Sequence, residues 1–119
     1  MKKTVILGAS DNPERYSYLA LEKLKRYGHP VVAIGKKAGE VNGTPIITDK
    51  PDEKEVDTVT LYINPQNQQQ YYEYIVSLHP KRIIFNPGTE NDELYDIAKK
   101  NGIEPMEACT LVLLGTGQY

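Results

Sequence analysis

The chain has 119 residues, of which 39% are hydrophobic, with a formal net charge of -2 and a pI of about 5.7. This length fits one domain over residues 1–119 with a substantial core, and it leaves little room for two-domain catalysis. The acidic balance argues against general nucleic-acid binding, the lack of a long apolar run argues against a membrane span, and the single cysteine, Cys109, suits a reducing cytoplasm.

Short apolar runs alternate with helical patterns along the chain. The runs are apolar throughout, as strands buried on both faces of a parallel sheet require. The predicted strands are Thr4–Leu7, Val31–Ile34, Thr58–Ile63 and Arg82–Phe85, with a fifth beginning near Ile103.

Three helical patterns lie between these strands. The first ends at Gly28, the second begins with an N-cap and a first-turn proline at Asn64-Pro65, and the third ends at Asn101-Gly102. Within the second pattern, the run Gln68-Gln69-Gln70 is interpreted as a solvated helix turn. The alternation predicts a Rossmann-like α/β domain with three layers, α/β/α, around a mostly parallel five-stranded sheet.

In such a sheet, ligands bind beyond the carboxyl ends of the strands, so the segment after the first strand is a candidate site. Ser10 offers a hydroxyl and an amide, and Arg15 offers a planar cation suited to phosphate. Pro13 stands where the dinucleotide motif G-x-G-x-x-G needs its third glycine, which argues against that motif. The candidate phosphate-binding residues are Gly8, Ala9, Ser10, Pro13, Arg15 and Ser17.

The segment after the second predicted strand carries two adjacent cations. An NAD site requires an acidic residue there to bind the ribose hydroxyls, whereas this chain has Gly35, Lys36 and Lys37. Two ammonium groups favour an additional phosphate on the ribose. The 2′-phosphate of NADP and the 3′-phosphate of coenzyme A both satisfy this requirement.

No nucleophile with a suitable base is evident, so the sequence predicts a binding protein and no enzyme. His29 and His79 each precede a proline at turns expected opposite the candidate site, which favours structural roles. Glu90 has the position of a general base, but capping of the following helix, or a favourable interaction of its charge with the dipole of that helix, is the favoured interpretation. Cys109 is interpreted as a small core residue; the alternative is a thiol that forms a mixed disulfide with coenzyme A.

The sequence resembles the small single-domain CoA-binding proteins, Rossmann-like domains related to the N-terminal domain of the succinyl-CoA synthetase α subunit. The resemblance spans nearly the whole chain and rests on the motifs GASDNPERYS, VDTVTLYINP, NPGTEN and EACTLVLL. It implies that the first loop holds the CoA pyrophosphate. It further implies that the second loop contacts the adenosine phosphate, although the Asn-Pro usual there in the family is replaced by Gly35-Lys36.

The same resemblance assigns roles to two further loops. It implies that the third loop flanks the adenine or the pyrophosphate, and that the fourth lies beside the pantetheine arm, with Asn91 in place of a family glycine. The residues concerned are Ile63, Asn64 and Pro65 in the third loop, and Gly88, Thr89 and Glu90 in the fourth.

These observations predict a cytoplasmic protein that binds coenzyme A or an acyl-CoA without catalysis of its own, as a carrier, sensor or regulatory module. An NADP-binding redox protein or sensor is the alternative, and an interaction module with a decayed site is the third hypothesis. The expected partner is a small nucleotide ligand, with neither nucleic acid nor membrane. A homo-oligomer or a partner enzyme stays open.

Overall fold

In the computed structural model, which describes residues 1–119, strands and helices alternate along the chain. The strands are β1 (Thr4–Leu7), β2 (Val31–Ile34), β3 (Gly39–Val41), β4 (Thr44–Ile47), β5 (Thr58–Leu61), β6 (Arg82–Phe85) and β7 (Glu104–Glu107). The helices are α1 (Tyr16–Arg26), α2 (Pro65–Gln68), α3 (Tyr72–Leu78), α4 (Asp92–Lys100) and α5 (Thr110–Gly115), with a 3₁₀ turn at Gln69–Tyr71. No helix is long and apolar enough to span a membrane.

All seven strands form one sheet in the order β3-β4-β2-β1-β5-β6-β7. Every neighbouring pair is parallel except β3–β4, so the parallel strands all end at one end of the sheet, here called the carboxyl end. The opposite end is the amino end. Because β2 and β5 lie on opposite sides of β1, the topological switch point lies at β1, where such sheets bind ligands. The predicted mostly parallel Rossmann-like architecture is confirmed.

The sheet has seven strands where five were predicted, because β3 and β4 form an antiparallel hairpin. Asn42 and Gly43 connect them with φ angles of 48° and 87°, as a tight two-residue turn requires. Within β4, Thr44 and Ile46 are buried while the intervening Pro45 is exposed. This alternating burial is typical of a strand with one covered face, and such a strand carries no continuous apolar run in its sequence.

Helices cover both faces of the sheet, which gives the predicted three layers. Successive residues of β1 point to opposite faces, as the period of a strand requires. Val5 and Leu7 therefore join one buried cluster with α3 and α4, whereas Ile6 joins a second cluster with α1 and α5. Burial of these side chains supplies the main driving force for folding.

A buried cation lies at the amino end of the sheet. The Arg82 side chain donates from Nε to Thr58 Oγ1 over 2.7 Å, and its Nε lies 3.8 Å from Asp57 Oδ1. Its guanidinium stacks 4.3 Å from the centre of the Tyr119 ring. Burial raises the pKa of the Tyr119 phenol, which remains neutral beside this cation. The cluster joins the starts of β5 and β6 to the end of the chain.

Both histidines also lie at the amino end, as predicted. His29 precedes β2, and its Nδ1 accepts a hydrogen bond of 3.0 Å from the backbone N–H of Lys2. His79 follows α3 in a left-handed conformation, with φ of 49°. Both are remote from the carboxyl ends of the strands.

Candidate functional site

Backbone hydrogen bonds hold the first three loops together at the carboxyl end of the sheet. The N–H groups of Gly8 and Ala9 both donate to the carbonyl of Ile34 over 2.9 Å, which ties the first loop to the end of β2. The N–H of Tyr62 donates to the carbonyl of Leu7 over 2.8 Å, which ties the third loop to the end of β1. The loops predicted to form a site therefore do lie side by side.

Two glycines permit this close approach. Gly8 has a φ of 96°, and a Cβ there would lie 2.7 Å from the Ile63 side chain and 2.8 Å from the Tyr62 backbone. A Cβ on Gly35 would lie 2.4 Å from the carbonyl oxygen of Ala9. Contacts below 3 Å exclude any side chain at either place. The first loop thus lies between the second and third loops, and its backbone is in direct contact with both.

The first loop folds into a turn that leads directly into α1. The N–H of Asn12 donates to Ser10 Oγ over 3.1 Å, and Asn12 Oδ1 accepts from the N–H of Glu14 over 3.0 Å. The N–H of Arg15 then donates to the carbonyl of Asn12 over 3.0 Å. Pro13 lies inside this turn, where its missing N–H costs no hydrogen bond. Since Ser10 Oγ acts here as an acceptor, its hydroxyl proton is free to be donated to a ligand.

The N-terminus of α1 lies at the carboxyl end of the sheet. Arg15 is the N-cap residue, no side chain caps the helix, and its first turn contains no acidic residue. The first N–H groups of a helix have no partners within it, and they carry a partial positive charge. Arg15 is exposed, whereas the side chain of Ser17 is enclosed, with an exposed fraction of 4%. Of these two predicted site residues, only Arg15 presents its side chain openly.

The cations of the first two loops have no acidic partners. Lys36 and Lys37 are exposed, like Arg15. The chain contains three ion pairs, which are Lys3–Glu53, Lys54–Asp52 and Arg82–Asp57. One acidic side chain does reach this region, since a Cβ on Gly39 would lie 2.8 Å from Asp11 Oδ2. No pattern in the sequence marks Asp11 as the residue that crosses from the first loop to β3.

The third loop leads into α2 as predicted. The Oδ1 atom of Asn64 accepts a hydrogen bond of 2.9 Å from the N–H of Asn67, and Pro65 is the first residue of the helix. This confirms the predicted N-cap. It also engages the Asn64 side-chain oxygen, while Ile63 is half-buried beside Gly8.

The fourth loop is closed by its own side chains. The buried Thr89 hydroxyl donates to the carbonyl of Asn86 over 2.7 Å. The N–H of Gly88 donates to Glu90 Oε1 over 2.9 Å. Both predicted site side chains, Thr89 and Glu90, therefore make hydrogen bonds within the loop.

Of the two roles predicted for Glu90, capping is wrong, because the next residue caps α4; the interaction of its charge with the helix dipole stays a prediction. Asn91 Oδ1 accepts hydrogen bonds from the N–H groups of Glu93 and Leu94 over 3.1 and 3.3 Å. Asn91 is the residue immediately before the helix, and its short side chain reaches these N–H groups. Glu90 lies one residue too early.

The interpretation of the three glutamines as solvated is wrong for Gln68, which has an exposed fraction of 0%. Its Nε2 donates to the carbonyl of Ile63 over 2.9 Å and to the carbonyl of Thr89 over 2.8 Å. Its Oε1 accepts from Asn91 Nδ2 over 2.9 Å. One buried amide therefore connects the third and fourth loops. Three identical neighbours give no local signal for which of them is buried.

The segment after β7 returns to the carboxyl end of the sheet. Cys109 is half-buried and immediately precedes α5. The interpretation of Cys109 as a core residue is therefore wrong. The next residue, Thr110, donates from its N–H to Asn86 Oδ1 over 2.9 Å, and its hydroxyl lies 2.8 Å from that of Thr60. Burial raises the pKa of the nearby Tyr62 phenol, which therefore stays protonated. No three His, Cys, Asp or Glu side chains converge on a metal site anywhere in the chain.

Several solved structures are similar to this chain. A crystal structure of an uncharacterized protein is 59% identical, with a TM-score of 0.98 over 100% of this chain and 98% of the other. A hypothetical protein from Pyrococcus horikoshii OT3 is 26% identical, with a TM-score of 0.85 over 93% of this chain and 80% of the other. The dinucleotide-forming acetyl-coenzyme A synthetase 1 of Ca. Korarchaeum cryptofilum, in complex with phosphate and ADP, shares the fold. It is 19% identical, with a TM-score of 0.70 over 88% of this chain and 25% of the synthetase.

No curated protein sequence matches this chain. The family model described as the CoA binding domain matches residues 2–115, a span that includes all four loops at the carboxyl end of the sheet. This match confirms the resemblance that the sequence motifs indicated. The chain therefore belongs to the CoA binding domain family.

Proposed function

We propose that this chain binds coenzyme A or an acyl-CoA at the carboxyl end of the sheet and performs no catalysis of its own. One observation carries the proposal: backbone contacts join the loop that leads into the uncapped N-terminus of α1 to the loop after β2, and these two loops carry three exposed cations without ion-pair partners, Arg15, Lys36 and Lys37. Membership of the CoA binding domain family supports it. A ligand with several phosphates complements this charge.

The first loop fits the diphosphate of coenzyme A. The first-turn N–H groups of α1, the Ser10 hydroxyl and the Arg15 guanidinium would donate to the phosphate oxygens. Gly8 has no side chain and Ala9 has only a methyl group, so a phosphate can approach the backbone of the first loop. The bound coenzyme would supply a thiol or thioester, and the chain would hold and orient it.

The remaining loops would divide the rest of the ligand. Lys36 and Lys37 would bind the 3′-phosphate of the adenosine, with Gly35 keeping their loop close to the first. The third loop, Ile63–Pro65, would flank the adenine or the pyrophosphate, and the fourth, Gly88–Glu90, would lie along the pantetheine arm. The same two lysines suit the 2′-phosphate of NADP, so the experiment must separate the two ligands.

Titration calorimetry with coenzyme A, acetyl-CoA, NADP and NAD tests the proposal directly. We expect coenzyme A and acetyl-CoA to bind at least 10-fold more tightly than NADP, a difference of about 1.4 kcal/mol, and NAD to bind more weakly still. If NADP bound as tightly as coenzyme A or more tightly, the proposed ligand would be wrong, and a dinucleotide would take its place in the proposal. Incubation with acetyl-CoA is expected to release no free thiol above a protein-free control, and a catalysed release would contradict the absence of catalysis.

A further inference from the structure

We infer that Gln68 is a positioning residue that holds the fourth loop, Gly88–Glu90, at a set distance from the third, Ile63–Pro65, and so shapes the part of the site that receives the pantetheine end of coenzyme A. The third loop is also held by the hydrogen bond from the Tyr62 N–H to the Leu7 carbonyl and by the Asn64 cap of α2, so loss of the Gln68 amide would displace the fourth loop and leave the third in place. This inference rests on the proposed function. It concerns a residue whose side chain is fully buried behind the loops and contacts no solvent.

The Gln68 amide donates its two protons in hydrogen bonds to two different loops. One goes to the carbonyl of Ile63 over 2.9 Å and the other to the carbonyl of Thr89 over 2.8 Å. The two N–H bonds of a primary amide are fixed relative to each other in one plane, so the two carbonyls must keep a set spacing to be satisfied together. The two loops are separated by more than twenty residues along the chain, and this side chain joins them directly.

The orientation of the amide is fixed by Asn91. The Oδ1 atom of Asn91 accepts from the first N–H groups of α4, so its Nδ2 is the atom that faces Gln68. Because that group donates, Gln68 must present Oε1 to it and Nε2 to the two loop carbonyls. Asn91 Nδ2 also donates to the Tyr72 hydroxyl over 2.8 Å, which anchors the arrangement on α3. A rotated amide would lose three hydrogen bonds at once.

The neighbouring glutamine provides a matched control. Gln69 is exposed and follows Gln68 directly in the chain. A change from glutamine to methionine keeps the length of the side chain and removes the amide in both cases. Only at position 68 would it leave two loop carbonyls without a donor.

The experiment compares coenzyme A with adenosine 3′,5′-bisphosphate, a ligand that lacks the pantetheine arm. In Gln68→Met, the Kd for coenzyme A should rise about 10-fold or more, on the scale of the lost hydrogen bonds, while the Kd for the bisphosphate should change less than about 2-fold. Gln69→Met should leave both values unchanged. An equal loss for both ligands would show general destabilisation and overturn the inference, as would an unchanged Kd for coenzyme A.

A second variant covers the case in which Gln68→Met fails to fold. Asn91→Asp keeps the oxygen that caps α4 but places a second carboxylate oxygen where Nδ2 donated to Gln68 Oε1, so it removes the hydrogen bond that orients the amide without breaking the helix start. We expect about a 3-fold rise in the Kd for coenzyme A and none for the bisphosphate. If the unchanged protein binds no coenzyme A, the proposed function itself fails. If it binds and neither variant separates the two ligands, only the role of Gln68 fails.

Discussion

The two ends of the sheet treat their cations in opposite ways. At the amino end, Arg82 is buried, donates to Thr58 Oγ1 and stacks on the Tyr119 ring. At the carboxyl end, Arg15 is exposed beside the uncapped N-terminus of α1 and forms no ion pair. One arginine is thus part of the packed structure at the amino end, and the other is free to bind a ligand at the carboxyl end.

The contrast separates stability from binding. Exposed cations that form no ion pair contribute little to folding, and a phosphate ligand would supply the negative charge that they lack. The buried pair at the amino end has the opposite character, because removal of one partner leaves a charge poorly solvated. Substitutions at the two ends should therefore have effects of different kinds.

The largest effect on stability is expected from Arg82→Met. The change removes the hydrogen bond to Thr58 Oγ1 and the stacking on Tyr119, and it leaves Asp57 without its ion-pair partner. We expect the free energy of unfolding to fall by about 3 kcal/mol in urea denaturation. Affinity for coenzyme A should be unchanged below the transition. A loss of less than 1 kcal/mol would contradict the structural role given to this buried cation.

The reciprocal variant, Arg15→Met, should affect binding and leave folding intact. Loss of one charge-assisted interaction with phosphate should weaken binding of coenzyme A by about 1.5–3 kcal/mol, measured by calorimetry. The free energy of unfolding should change by less than about 0.5 kcal/mol, as for other exposed residues. If Arg15→Met and Arg82→Met lowered stability equally, the contrast between the two ends would disappear.

A double substitution of Lys36 and Lys37 by alanine tests the second loop. Wild type should prefer coenzyme A over dephospho-CoA by about 1–3 kcal/mol, with a smaller gap at high salt, because exposed charges are screened. The double variant should lose this preference and keep its affinity for dephospho-CoA. Alanine at both Lys99 and Lys100 removes the same net charge from the end of α4 and serves as the control. Equal binding of the two ligands by wild type would remove these lysines from the site.

The smallest effect concerns His29 at the amino end. Burial, followed by nearby positive charges that include Lys2 and Arg82, lowers its pKa from the ordinary value of 6.5. The unfolded chain then binds the proton more tightly, so the free energy of unfolding should decrease as the pH falls through 6.5 and level off below the lowered pKa. His29→Asn keeps an acceptor for the Lys2 N–H and should flatten this step, whereas His79→Asn should retain it. An unchanged step in His29→Asn would assign it to another group.

Sequence reasoning succeeded where local composition decides the structure. All residues of β1, β5 and β6 are buried, so their apolar runs identify them. The predicted strand over 58–63 nevertheless ends at Leu61, because Leu61 pairs with Leu7 and the chain turns away at Gly8. A strand ends where its neighbouring strand ends, and that neighbour is distant in the chain. The local composition therefore does not predict the last residue of the strand.

Two other differences have different causes. The hairpin of β3 and β4 was predictable, since Asn42-Gly43 is a strong signal for a two-residue turn between strands. The burial of Gln68 was not, because its partners lie on two loops that only the folded chain brings together. In the candidate site, the placement of the loops at the carboxyl end of the sheet followed from the alternation of strands and helices. The internal hydrogen bonds of Thr89 and Glu90 required the structure.

The contact between Gly35 and Ala9 restricts how this fold can be re-engineered. A Cβ at position 35 would lie 2.4 Å from the Ala9 carbonyl oxygen, so the two backbones meet with no space for a side chain. Grafting a second loop from another protein that carries any larger residue there would push the first loop off the end of β1. The two loops therefore have to be exchanged as one cassette, and libraries that randomise one of them should keep this glycine constant.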